Sequence, residues 1–518
     1  MSSTSATVAA VTTYRAEAGD SLLGAFRGWL LDCRPAALAR RHLTLAAIFA
    51  AIAVTAALGM NHELLTPHLD RLEAQTFGAL LSLHGMLMIY VVAIPAFPAV
   101  LGHALLPGAL GIDELPFPRL ARSAWHLQAL AGLVLVLGFL AGGTEVGWMF
   151  DAEFGGRFTS PNTAPAAIGV LLAAFAISTT SLSVVATILH WRRDGDRTRP
   201  VPALVSAFFL AGASGLVAGA FLICSMTLVL VDRLVGISVF DWTAGGDPQL
   251  FAALFRRFVS PAFSLVLLGA LGTVISVIEA RADAEPSRRE GVLAGIALAV
   301  IALAGLFVWV GPEGPVGGST GTDAIGAVLN ADVVAAAGFL IAGILTLLKR
   351  GGARIDTAMI YALGFLPALV LGLCTGLLLA IPATRAMAAS TAFATTQLHL
   401  TMLGALAMAF LAGVHHAWPE LVGRRISEPL GRAAAALTIF GLYAMLLPSF
   451  LIGLAGQSFR VNAYPPELQI PHVLAAAGST ILIAGVVLAS LNLATARRIE
   501  TLAAEPAAEP SAAAISDR

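Results

Sequence analysis

Twelve apolar runs, each close to the length needed to cross a bilayer, constrain this chain more than any other feature. They lie near 42–60, 77–106, 123–142, 164–190, 202–231, 251–280, 291–310, 325–348, 357–381, 390–418, 432–455 and 471–495. A helix rises 1.5 Å per residue, so about 20 apolar residues cross the hydrocarbon layer. Backbone amides find no water there, and the helix satisfies them within one segment. The composition agrees: 12% of the residues are charged, against about 25% in soluble domains. Lys+Arg number 30 and Asp+Glu 31, so there is no basic excess of the kind a nucleic-acid partner requires. The expected fold is an all-α membrane protein with twelve transmembrane helices. The membrane domain covers 41–497. An N-terminal tail, 1–40, precedes it, and an Ala/Pro/Glu-rich tail, 498–518, expected to be disordered, follows.

An even number of spans puts both termini on one side. Of the 30 basic residues, 23 fall in the segments sharing that side, including Arg40, Arg41, Arg192, Arg193, Arg424, Arg425, Arg497 and Arg498. The positive-inside rule makes that side cytoplasmic. A miscounted span would scramble the alternation, so charge supports the count independently. In the first tail Leu22, Leu23, Phe26, Trp29, Leu30 and Leu31 recur at helical spacing, as in an amphipathic helix lying on the membrane. The tail lacks the pattern of a signal peptide. Cys33, Cys224 and Cys374 are far apart and form no metal or c-haem motif. Gly215 and Gly219 have the spacing of small residues that let helices approach closely in lipid.

The eleven histidines divide by depth. His103, His126, His190, His415 and His416 lie toward the cytoplasmic ends of spans. His62, His68 and His472 lie on or near the outer side, and His42 begins the first span. His84 and His399 differ. Each lies well inside a span that enters from the outer face, about 10–14 Å deep by helix rise. Buried polar rings in a membrane are costly and carry functional weight. Two neutral imidazoles on facing helices can ligate haem iron from both sides, which leaves no open position and suits electron transfer. Each ring can equally satisfy a helix carbonyl or hydroxyl.

Around His84 the sequence reads SLHGMLMIYVVAIPAFPAVLGHALLPGALGIDELPFPRL. Further on come GWMFDAEF, LVDRLVGISVFDWTAGGDPQLFAALF, AMIYALGFLPALVLGLCTGLLLA, QLHLTMLGALAMAFLAGVHHAWPELVG and LIGLAGQSFRVNAYP. In order and spacing these segments resemble subunit I of the haem–copper oxidases, from about residue 42 to 495. The resemblance implies a twelve-helix bundle and assigns His84 and His399 to one low-spin haem, of b type sooner than a. It places Arg460 near the haem propionates, with Phe459 in the position of a second arginine.

The same resemblance implies losses. Gln397 stands where the high-spin haem ligand belongs. Ser260 and Ser264 replace a copper-binding His and its Tyr. The second pair of copper ligands falls within Gly311-Pro312-Glu313. Copper is not expected, and no catalytic residue is assigned. Of the proton-path residues, Glu114 keeps its charge, whereas Ala262, Ile341 and Ala389-Ser390 replace polar groups.

The expected function is electron transfer through one bis-His haem, without oxygen reduction. The expected partner is a companion subunit with an outer-side cupredoxin or cytochrome c domain, in a bacterial inner membrane. Two alternatives stand beside it. One is an active terminal oxidase with unusual ligands, for which Glu313, His415 and His416 are candidates. The other is a haem-free assembly or transport subunit using the same fold. Whether the chain is an enzyme is open at this point.

Overall fold

Each apolar run becomes a helix long enough to cross a membrane. The computed structural model describes residues 28–68, 71–150, 162–194, 201–307 and 320–498. In chain order the helices are α1 Pro35–Glu63, α2 Ala74–Leu110, α3 Pro118–Leu140, α4 Thr163–Arg193, α5 Ala203–Val235 and α6 Gln249–Glu279. They continue as α7 Arg288–Leu306, α8 Val333–Gly351, α9 Thr357–Ala380, α10 Ala392–Val422, α11 Glu428–Leu454 and α12 Pro466–Ala494. The chain is therefore an integral membrane protein of twelve spans.

Helix ends follow local chemistry. Pro35 and Pro118 open α1 and α3, where the missing N–H costs nothing. Asp247 and Asp356 cap α6 and α9 by accepting the N–H groups of Gln249 and Met359. Gly423, at φ 65°, ends α10 in the left-handed conformation that costs glycine least. The first helix begins seven residues before the apolar run does, because Pro35 sets its start. His42 thus lies two turns inside α1 rather than at its beginning. Of the expected N-terminal amphipathic helix, Leu22, Leu23 and Phe26 lie outside the described residues. Residues 28–31 form one helical turn, and Trp29 meets Trp125 edge-on, with ring centroids 5.6 Å apart.

Helix packing is tightest where side chains are smallest. Added at Gly215 or Gly219 of α5, a Cβ would collide with Ser181 or Ser178 of α4. Between α11 and α12 the backbones themselves touch: Gly478 faces the Ala444–Met445 backbone and Gly441 the Ile481–Leu482 backbone. Lipid drives no apolar surface together, so contact at this range supplies the packing attraction that water would otherwise provoke. Leu140, Phe440, Leu447, Leu454 and Ile470 are exposed on the outside of the bundle, as acyl chains would require.

On the side of the described terminus, Arg424–Arg425 pair antiparallel with Arg497–Arg498, joining the end of α10 to the end of α12. Nearby, Arg281 donates to Asp356 at 2.6 Å and to Nδ1 of His416 at 3.1 Å. Burial raises the Asp356 pKa, but the hydrogen bonds from Arg281 and from the Met359 N–H outweigh it and hold the carboxyl below its usual value.

Candidate functional site

The two deep histidines meet. His84 of α2 and His399 of α10 have ring centroids 6.2 Å apart and planes 14° from parallel. His84 Nδ1 donates to the Ala53 carbonyl of α1 at 2.9 Å, and His399 Nδ1 donates to the Thr395 carbonyl at 2.8 Å. A carbonyl can only accept, so both rings carry their proton on Nδ1 and leave Nε2 bare. Metal-bound imidazoles are commonly held in this way, by the nitrogen that does not bind. Two metal–nitrogen bonds of about 2.0 Å, with the ring radius at each end, give a centroid separation of about 6.3 Å. The spacing, the near-parallel planes and the tautomers therefore fit one iron between the rings. Both histidines are half-buried, so open space reaches them.

The helices carrying these rings widen beside them. The α-helical hydrogen bonding of α2 gives way to π-helix at Leu87–Ala93 and Ala96–Leu101, and that of α10 at Leu400–Leu406. Pro95 and Pro98 remove two donors from the ladder of α2, which is one physical cause. Such wide turns concentrate at functional sites. Gly85, next to His84, lets Trp148 pack against the helix: a Cβ there would meet Trp148 at 3.1 Å. Arg460 lies against the same loop, its guanidinium 3.5 Å from where a Cβ on Gly147 would stand. Arg460 and the turn that carries His84 thus both neighbour one short segment, Gly147–Trp148.

Gln397 does not point toward α6. Its amide nitrogen reaches Thr401 Oγ1 at 3.2 Å and the Gly372 carbonyl of α9 at 3.4 Å. Ser260 donates to the Gly305 carbonyl of α7 at 2.8 Å, and Ser264 packs against the same glycine. A small gap between α2, α6 and α10 is lined by Ile89, Ala93, Phe258, Ala262, Val266 and Met402, with Trp148 beside them. None of these offers a hard or imidazole ligand.

From the gap-lining Phe258 a series of rings continues through Phe255 and Phe251 to Phe240, with successive centroids 5.4–5.7 Å apart, stacked between Phe251 and Phe255 and edge-on at the other two contacts, and Tyr90 closes the column 5.9 Å from Phe258. The Tyr90 hydroxyl donates to the Trp148 carbonyl at 2.6 Å. Gly311, Pro312 and Glu313 lie outside the described residues. His415 rests against Tyr361 and His416 against Arg281, away from the His84–His399 pair.

Sequence reasoning missed two things here. The aromatic column was visible as Phe251, Phe255 and Phe258 at helical spacing. A second histidine pair, His42 with His103, was hidden by treating both as residues of span ends.

Comparison with known proteins gives the same fold. The profile of the family described as Cytochrome C and Quinol oxidase polypeptide I matches residues 37–481. The cytochrome c oxidase subunit 1 of Synechocystis sp. is 26% identical over 460 residues, covering 88% of this chain and 82% of that protein. The Bacillus subtilis protein of the same name is 27% identical over 454 residues, covering 87% and 72%. A haem–copper terminal oxidase dimer solved by electron cryomicroscopy superposes with a TM-score of 0.75 at 14% identity, covering 90% of this chain and 85% of that one. With its twelve helices and a profile match over most of its length, the chain belongs to the cytochrome c and quinol oxidase polypeptide I family.

Proposed function

We propose that this chain holds one low-spin haem between His84 and His399 and passes single electrons without reducing oxygen. One observation carries the reading. Two imidazoles stand at iron-bridging distance, while the neighbouring gap is walled by Phe258, Ala262, Val266 and Met402. A haem bound there, of b type, supplies reversible one-electron chemistry. The Ala53 and Thr395 carbonyls fix which nitrogen of each ring faces the metal. Arg460 would pair with a propionate of such a haem by a charge-assisted bond. The column from Phe240 to Tyr90 keeps water from the adjoining space.

The relatives are named cytochrome c oxidase subunit 1, which favours an oxygen-reducing reading. Against it stand Gln397, turned toward α9, and the lining of the gap, which offers one thioether, Met402, and no imidazole. We take the outer-side electron donor to be a cupredoxin or cytochrome c domain on a companion subunit. The bacterial relatives and the arginine-rich terminal side support a bacterial inner membrane with both termini in the cytoplasm.

A reduced-minus-oxidised spectrum of the purified chain tests the function. One six-coordinate haem per chain, unmoved by carbon monoxide, is the expected result. A carbon monoxide shift, or no haem at all, overturns it.

A further inference from the structure

A second pair of histidines lies far along α2 from the first. His42 of α1 and His103 of α2 have ring centroids 5.7 Å apart and planes 18° from parallel. Both residues are buried, at 0% and 3% exposure. His103 Nδ1 donates to the Ala99 carbonyl at 2.6 Å. His42 Nδ1 meets Gln128 Oε1 at 2.6 Å. The Gln128 amide nitrogen donates to the Val91 carbonyl at 2.7 Å, so the oxygen is the atom turned toward His42, and His42 too carries its proton on Nδ1. Each Nε2 is therefore a bare lone pair, and neither has a partner at hydrogen-bond distance; the Ala121 carbonyl is a further backbone acceptor beside the His42 ring.

Two enclosed acceptors with no donor need an electron-pair acceptor between them. A single water would donate twice and leave its own lone pairs without a donor. Buried waters typically make about three bonds. Hard cations need about six oxygen ligands and zinc about four ligands. No His, Cys, Asp or Glu joins this pair among the described residues as a third ligand. The Arg41 guanidinium acts electrostatically on both rings, which weighs further against a doubly charged ion. A haem needs open space at its ligands; His84 and His399 are half-buried, whereas His42 and His103 are closed in.

We propose that His42 and His103 form a two-imidazole site for one monovalent copper ion. It lies apart from the gap between α2, α6 and α10, so it is independent of the haem reading. Imidazole is an accepted copper ligand, and a singly charged ion adds the least charge to a buried place.

The test uses the full-length chain purified in detergent. It is incubated anaerobically with the acetonitrile complex of Cu(I), then stripped with a competing chelator, and copper per chain is counted by mass spectrometry. Wild type should keep about one copper, with X-ray absorption showing two nitrogen neighbours. His103→Phe and the milder His103→Asn should keep at least tenfold less, with unchanged helical circular dichroism and elution. His84→Ala should keep its copper, which separates this site from the haem seat. Less than a tenth of a copper in wild type overturns the proposal, as does equal retention in a folded His103 variant. A second haem per chain, lost on substituting His103, also overturns it.

Discussion

His399→Ala tests the candidate site most directly. The structure holds the two rings 6.2 Å apart, a span that two coordination bonds of about 2.0 Å can close. Alanine withdraws the nearest atom of α10 by about 3.5 Å, well outside such a bond. His84, still oriented by the Ala53 carbonyl, would remain as one ligand, and the opposite side would stand open. The expected result differs in kind from wild type. Either haem falls below about a tenth per chain, or the retained haem gains a carbon monoxide shift that wild type lacks. Absorption spectra with and without carbon monoxide, normalised to pyridine-haemochrome content, read both. A His399→Ala protein with full haem and an unchanged six-coordinate spectrum would refute the assignment of α10 as ligand.

Three further outcomes follow from the geometry. Asp356→Asn should cost about 3 kcal/mol, because Arg281, at 7% side-chain exposure, would lose its buried partner; adding Arg281→Met should recover most of it, as a chemical-unfolding cycle would show. Since the folded pKa of Asp356 is lowered from 3.8, its stabilisation is present above that unfolded value and lost as pH falls through the folded one. Wild type should therefore lose thermal stability at acid pH more steeply than Asp356→Asn. Gly478→Leu should cost about 2 kcal/mol or more by driving α12 off the Ala444–Met445 backbone, visible as a lower melting temperature in detergent. Gln397→His should create no carbon monoxide-reactive haem, because position 397 faces Gly372 of α9; a new shift in that variant's spectrum would count against the geometry.

The spans were legible because hydropathy and charge report the same alternation, and a bilayer enforces both. The His84–His399 pair was legible because depth along two helices that enter from the same face needs only a count of residues. The His42–His103 pair was equally countable, but the apolar run starts at His42 whereas Pro35 starts the helix. That difference of two turns moved a buried ring to a supposed surface. The resemblance aligned Ser260, Ser264 and Gln397 with positions where the family carries ligand residues. Where those side chains turn could not be read in the same way. Ser260 finds the Gly305 carbonyl and Gln397 finds α9 only once the helices are packed. The π-helical turns were foreshadowed at Pro95 and Pro98 alone; nothing local in Leu400–Leu406 announces one.

The series of phenyl rings that ends at the gap-lining Phe258 bears on what a reduced centre could lose. Protons need a path of polar groups, and the column from Phe240 to Tyr90 carries one hydroxyl, a phenol already committed to a carbonyl. On the proposed reading, an electron resting there is insulated on that flank. Leakage to stray oxidants would be slow, and current would run to the intended acceptor.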